Sequence, residues 1–271
     1  MRSTPWSRGS RRTSCRGEAS ISRVSAYDRP MDAVEQADVA PAPLEVVDTG
    51  RISYAAGLTL QREAVVRVQA ARATGGAVGR LILLEHTPPV ITISRRPDAR
   101  AHLLASAELL TREGIEVRQT DRGGDITYHG PGQLVAYPVL DLNVLGLNLH
   151  GYLRFIEGVV IDTCRAFGLD ARRDAAATGV WIEDAKVCAI GIRVQRWVTC
   201  HGLAFNVTTN LDHFGLIVPC GLAGRPVTSL RRVLGDDGPT LGEVKVRLAE
   251  RFAAAVAQRL GNAAPLPCPR G

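Results

Sequence analysis

The chain has 271 residues, 45% hydrophobic and 22% charged, the composition of a globular protein long enough to bury a core and too apolar to be mainly disordered. No run of about 18 apolar residues occurs, which excludes a membrane-spanning helix. No stretch has a signal-peptide layout either, so the expected location is the cytoplasm. The net charge of +6 invites a nucleic-acid reading, but residues 1–30 alone hold seven arginines against two acids. The remainder is nearly neutral and lacks the basic stripe that phosphate-backbone binding needs, so neither nucleic acid nor membrane is an expected partner.

In chain order, residues 1–43 read as a disordered tail and lead-in, with Met31 as an alternative start. A single domain is expected over 44–262. Leu44–Val47 reads as a strand. Tyr54 to about Arg72 has helical spacing, with Leu58, Ala64, Val65 and Val68 toward one face. Leu81–Leu84 and Val90–Ile93 are apolar, β-branched runs about Pro88 and Pro89, read as two strands and a turn. Ala107–Glu113 is a helix capped by Ser106 and stopped by Gly114, and Ile115–Gln119 a strand. A glycine-rich loop fills 122–132. Leu134–Leu142 follows as a strand despite Pro138. Asn148 caps a helix that runs to Phe167 and ends at Gly168. Two or three strands cover Val180–Asn206. Thr240 and Glu243 form a capping box for a helix to about Leu260, ended by Gly261. Residues 263–271 read as a Pro-rich tail. Strands and helices mix without strict alternation, which predicts an α/β or α+β fold with a mixed sheet flanked by helices.

Only two of the 33 basic residues are lysines, Lys186 and Lys245. Arginine cannot accept a proton near neutral pH, whereas a partly buried lysine can. Lys186 is therefore a candidate for proton transfer; Lys245 is read as incidental. The run Arg122-Gly123-Gly124-Asp125-Ile126-Thr127-Tyr128-His129-Gly130-Pro131-Gly132-Gln133 is the densest constellation. Its glycines let backbone approach a ligand closely, and Arg122, Thr127, Tyr128 and His129 add polar groups. It matches neither phosphate-cradling nor dinucleotide-binding spacing. A ligand-free glycine hairpin is the plainer alternative. The six cysteines (15, 164, 188, 200, 220, 268) show no C-x-x-C spacing, and Cys200-His201 lacks spaced companions, so neither a disulfide scaffold nor a metal is expected. Cys220 differs from the rest. It sits on the turn Val218-Pro219-Cys220-Gly221, where a thiol is more readily presented than packed. A reactive thiol needs a neighbour that lowers its pKa or takes its proton, and Lys186 and His129 are the candidates.

Together these residues resemble the lipoyl(octanoyl) transferase family over roughly residues 50–235. Glu85-His86-Thr87-Pro88-Pro89-Val90 resembles the family's early strand and turn. Arg122 through Gln133, with Tyr137-Pro138, resembles its signature loop. Gly179-Val180-Trp181 and Lys186 through Arg193 are similar to the segment bearing its lysine. His201 through Val207 resembles a substrate-contacting strand, and Pro219-Cys220-Gly221 with Val227 through Leu230 the cysteine region. Two departures stand out: Ile93-Ser94-Arg95-Arg96 where a glycine usually precedes the arginine, and Cys188 for a common alanine, an extra thiol near the site.

The resemblance implies the fold of the biotin/lipoate protein ligase catalytic domain and two-step acyl transfer. Cys220 would take an octanoyl group from octanoyl-acyl carrier protein as a thioester. A specific lysine of a lipoyl domain, or of glycine cleavage H protein, would then accept it as an amide. Lys186 would lower the Cys220 pKa while cationic and act as general base when neutral. Substrate would be lined by Arg122, Gly123, Gly124, Asp125, Ile126, Thr127, Tyr128 and His129, by Ala189, Ile190 and Gly191, and by Gly202, Leu203 and Ala204. No cofactor is implied. The alternatives are an ATP-dependent lipoate ligase on the same fold, which would not need Cys220, and a non-catalytic carrier-protein binder. Arg95, Arg96, Arg231 and Arg232 are candidates for docking acidic carriers.

Overall fold

The computed structural model describes residues 44–72, 78–218 and 225–262. The chain divides into a unit of residues 1–40 and a unit of residues 41–271, and every described residue belongs to the second. The expectations for the two tails, and for Cys220, lie outside the described residues.

The elements are β1 (Leu44–Ile52), α1 (Tyr54–Ala71), β2 (Gly79–His86), β3 (Val90–Ile93), α2 (Ala107–Arg112), β4 (Glu116–Gln119), β5 (Ile126–His129), β6 (Gln133–Leu140), α3 (Leu149–Arg165), β7 (Ala171–Arg173), β8 (Val180–Ile182), β9 (Ala185–Gln195), β10 (Val198–Asn206), α4 (Leu230–Leu234) and α5 (Leu241–Asn262). Short side-chain caps start the helices where the sequence places them. Ser106 Oγ accepts the Leu109 N–H at 3.3 Å, Asn148 Oδ1 accepts the Gly151 N–H at 2.7 Å, and Thr240 and Glu243 bond reciprocally. Gly261 does not stop α5, which runs on to Asn262; a glycine in an exposed helical turn costs only about 1 kcal/mol.

Seven strands form one mixed sheet in the order β1-β2-β6-β10-β9-β8-β7, with β1 and β2 parallel and the other pairs antiparallel. Both faces are covered, so the central strands are apolar throughout rather than alternating. Leu81, Leu83, Leu134 and Ala136 pack under α3 and α5. Their neighbours Ile82, Leu84, Val135 and Tyr137 point the other way, against Ala64, Val65 and Val68 of α1. Thus two helices and one helix sandwich the sheet. Among the described residues no helix is long and apolar enough to cross a membrane.

Three findings revise the sequence reading. The two strands expected about Pro88 and Pro89 are both present, but they enter different sheets: β3 leaves for a second sheet of order β4-β3-β5. The glycine-rich run is not all loop, because Ile126–His129 forms β5, antiparallel to β3. The short β7 and α4 carry too few residues to show a period. Pro138, in the middle of β6, is tolerated by a local substitution. It has no N–H to donate, and the β6–β10 ladder stops at Leu203 opposite Ala136. Thr199 Oγ1 fills the gap, donating to Pro138 O at 2.7 Å and accepting the Leu140 N–H at 2.9 Å.

Candidate active site

Lys186 is the second residue of β9 and is buried. Its backbone N–H donates to Pro226 O at 2.9 Å, and its carbonyl accepts the Thr228 N–H at 3.0 Å. Residues 226–228 therefore run beside it as a short parallel bridge. The ammonium lies 4.8 Å from the Trp181 ring centre, and the Arg225 guanidinium lies 3.7 Å from the same ring. Arg225 is anchored by Asp174 at 2.8 Å. That guanidinium, with the Ala176 and Ala177 N–H groups, holds the Asp174 carboxyl well below the usual carboxylate range. Gly179 makes room for the lysine stem: a Cβ there would lie 2.6 Å from Cys188 O and 3.3 Å from Lys186 Cε.

The glycine loop packs on the free edge of β9. Gly123 N–H donates to Ile192 O at 2.8 Å, and a Cβ on Gly191 would come within 2.8 Å of Gly123 O. No larger residue fits either position without moving the loop. Arg122 holds the loop from beneath, donating to Thr92 O, Thr92 Oγ1 and Asp125 O at 3.0–3.1 Å. Between loop and sheet lies a narrow slot of about 40 Å³. It is lined by Arg122, Gly124, Ile126, Thr127 and His129, by Ala189, Ile190 and Gly191, and by Gly202, Leu203 and Ala204. A wider cavity of about 350 Å³ holds Lys186 together with Gly123. Gly124, Ile190 and Gly191 border both spaces.

Two residues of the loop lie elsewhere. Asp125 faces His102, 2.6 Å away. Tyr128 points to the opposite side of β5, where its hydroxyl meets His213 Nδ1 at 2.8 Å and its ring packs on Phe214. The cause is the two-residue period of a strand: Thr127 and His129 face the slot, and Tyr128 faces the core of the small sheet. The slot also has two walls that the sequence reading did not assign to substrate. Tyr54 opens α1 and Tyr137 sits inside β6, and only the folded topology brings them to the glycine loop.

The histidines that line the slot, His129 and His201, and His86 behind Tyr137 are held neutral. His86 Nδ1–H points at Ile52 O, 3.4 Å away, which leaves Nε2 to accept the Tyr137 hydroxyl at 2.7 Å. Gln133 Nε2 donates to Tyr128 O and Asn206 Oδ1, so its Oε1 accepts from His129 Nδ1 at 2.8 Å. Asn206 Nδ2 in turn donates to Thr228 O at 3.0 Å, which ties this network to the segment beside Lys186. Burial lowers His86 to about 4 and His129 well below the ordinary imidazole value, and also lowers His201. In the unfolded chain these groups protonate near pH 6.5. Between about pH 6.5 and 4 the unfolded state therefore binds more protons, and stability falls as pH falls. Each histidine contributes at most about 1.4 kcal/mol per pH unit in that window. The urea midpoint should drop between pH 7 and pH 5, and His86→Gln should flatten the slope. An unchanged slope would remove His86 from the account.

The described thiols are poor nucleophiles. Cys164, Cys188 and Cys200 are buried, and burial pushes Cys164 up to about 12, Cys200 up to about 11 and Cys188 well above the usual thiol value. The extra thiol at Cys188 is thus core filling. Among the described residues no group of three His, Cys, Asp or Glu side chains is placed to hold a metal.

The family profile described as "Lipoyl protein ligase A/B catalytic domain" matches residues 53–253. The chain is 44% identical over 223 residues to the octanoyltransferase of Acidobacterium capsulatum, covering 77% of this chain and 88% of that one. It is 43% identical over 213 residues to the octanoyltransferase of Geobacter metallireducens, covering 79% and 93%. Among solved structures it is similar to a bi-partite lipoate protein ligase from Thermoplasma acidophilum, with TM-score 0.56 and 19% identity over 80% of this chain and 84% of that one. At that identity the likeness speaks for the fold alone.

Proposed function

Because the chain belongs to the lipoyl protein ligase A/B catalytic-domain family and is similar over most of its length to octanoyltransferases, we propose that it transfers an octanoyl group from octanoyl-acyl carrier protein to a lysine of lipoyl domains and glycine cleavage H protein, through a Cys220 thioester. The observation that carries this reading is a junction. The slot, narrow enough for an unbranched chain, abuts the cavity holding Lys186. The segment hydrogen-bonded to the Lys186 backbone begins at Pro226, six residues after Cys220.

In the proposed cycle the Cys220 thiol gives its proton to the Lys186 amine, and the thiolate attacks the octanoyl thioester carbonyl. The carrier's thiolate leaves and takes the proton back from Lys186. Octanoyl-Cys220 and a neutral Lys186 remain. The acceptor amine then attacks the new thioester. Lys186 takes the amine's proton and passes it to the departing Cys220 sulfur. The donor arrives already activated as a thioester, and the amide product is the more stable bond, so no ATP is consumed. Backbone N–H groups of the glycine loop are suited to steady the oxyanion. Arg122, Gly123, Gly124, Ile126, Thr127, His129, Ala189, Ile190, Gly191, Gly202, Leu203 and Ala204 are the proposed substrate residues.

Intact mass spectrometry after mixing with octanoyl-acyl carrier protein tests the proposal. The expected result is one octanoyl adduct, labile to hydroxylamine, absent in Cys220→Ser and discharged by a lipoyl domain. No adduct on the native chain would overturn the thioester. Transfer from octanoate and ATP without the carrier would point instead to a ligase. Arg95 and Arg96 are exposed just beyond β3, and reversing both charges should raise the KM for the carrier with little change in kcat. An unchanged KM would place the dock elsewhere.

A further inference from the structure

His201 separates two spaces of very different size. It lines the slot, and it also lines a cavity of about 490 Å³ on the far side. Among the described residues no other borders both. That rear cavity has an apolar wall of Leu58, Val65, Val66 and Cys200 and shares no residue with the cavity that holds Lys186. The Lys186 cavity, the slot, His201 and the rear cavity therefore follow one another in that order.

The imidazole is fixed in place. His201 has a left-handed backbone, with φ of 58°, a conformation that costs a non-glycine residue energy and persists only where its surroundings impose it. Gln61 Oε1 accepts the His201 N–H at 2.5 Å, and His201 Nε2 donates to Asp121 Oδ1 at 2.8 Å. Asp121 is itself paired with Arg193. Tyr137 meets the ring edge-on from within the slot. Burial keeps the imidazole neutral, so an apolar chain end can rest against it without facing a full charge.

We infer that His201 is the stop that sets acyl chain length: it closes the end of the slot remote from Lys186, and removing it joins the slot to the rear cavity. The inference rests on the acyl-transfer reading above. A chain anchored at its carbonyl beside Lys186 and running the length of the slot meets His201, the described residue that the slot shares with the rear cavity. Without the imidazole, a longer chain can extend into the apolar part of the rear cavity.

The test compares octanoyl- and dodecanoyl-acyl carrier protein as donors for the native chain, His201→Ala and Asp121→Ala, reading both kcat/KM and the mass of the acyl-enzyme. The dodecanoyl-to-octanoyl ratio of kcat/KM should rise at least about tenfold in His201→Ala, since each methylene accepted or rejected by an apolar pocket is worth roughly 10–200-fold. A dodecanoyl adduct should appear on that variant. Asp121→Ala removes the latch and leaves the ring, so it should shift the ratio the same way by less. Asp121 is about a third exposed (31%), so this variant keeps the question open to measurement if His201→Ala does not fold. A general loss of structure would lower both rates and leave the ratio alone. A ratio within about twofold of native in the folded variants, with octanoyl transfer intact, overturns the inference. If the native chain carries no octanoyl adduct, the acyl-transfer reading itself fails and this inference falls with it.

Discussion

Lys186→Arg is expected to keep the first half-reaction and lose the second. An arginine preserves a positive charge that lowers the Cys220 pKa, so the octanoyl adduct should still form on Cys220, with the thiol's proton passing to solvent instead of residue 186 and the carrier's thiolate protonated from solvent. It cannot take a proton from the attacking amine, because guanidinium stays protonated at any working pH. Discharge to the lipoyl domain should therefore slow by about 10²–10⁴-fold, the range for a positioned general base. Lys186→Met removes charge and base together and should slow adduct formation as well. The surroundings make the pair informative. The lysine stem passes a glycine whose Cβ would lie 3.3 Å from Cε, and the Trp181 ring already has Arg225 3.7 Å from its centre. A guanidinium at 186 is thus crowded, and the Met variant separates crowding from loss of charge. Single-turnover mass spectrometry reads adduct formation and discharge separately. Discharge at the native rate in Lys186→Arg would remove Lys186 as the base. Adduct formation lost as completely in Arg as in Met, with both chains folded, would remove the charge argument.

What the sequence made legible was local. Ser106, Asn148 and the Thr240–Glu243 pair mark helix starts because a cap is satisfied within three residues, and each makes the bond expected of it. The glycine loop and Lys186 were legible as chemistry for the same reason: their residue types restrict what the backbone and side chain can do there. What was not legible was long-range pairing. Nothing near β2 and β3 says that they enter different sheets. β5 is four residues between glycines, too short to show a period, so Asp125 and Tyr128 read as slot residues when the pleat turns Tyr128 away. Tyr54 and Tyr137 reach the slot from α1 and β6. His201 reads only as the first residue of a strand resembling a substrate-contacting one, and its position between two cavities depends on contacts with Gln61 and Asp121, 140 and 80 residues away in sequence.

Gly202→Ala is expected to destabilise the chain by about 3 kcal/mol, near the upper end for forcing one extra carbon into a packed core. A Cβ at 202 would lie 2.2 Å from Ala136 O and 2.5 Å from Pro138 Cδ. Neither neighbour can swing aside. One is backbone in the central strand β6, and the other is a ring carbon closed onto that same backbone. The close approach has its origin in Pro138. Where a proline supplies no N–H, β10 does not complete the ladder; His201 takes its left-handed turn and Gly202 nestles against the bare stretch of β6. Moving the strands apart would also strain the Thr199 bonds that bridge the gap and shift His201, one residue away. The substitution should therefore act twice. The urea midpoint should fall with an unchanged slope, and the folded fraction should transfer octanoyl more slowly than its population explains. Gly215→Ala is the matched control: it has a glycine with nothing within 4 Å of the added carbon, and a change under about 0.5 kcal/mol is expected there. If Gly202→Ala behaves like that control, β6 and β10 can separate freely, and the rigid backing assigned to His201 does not exist.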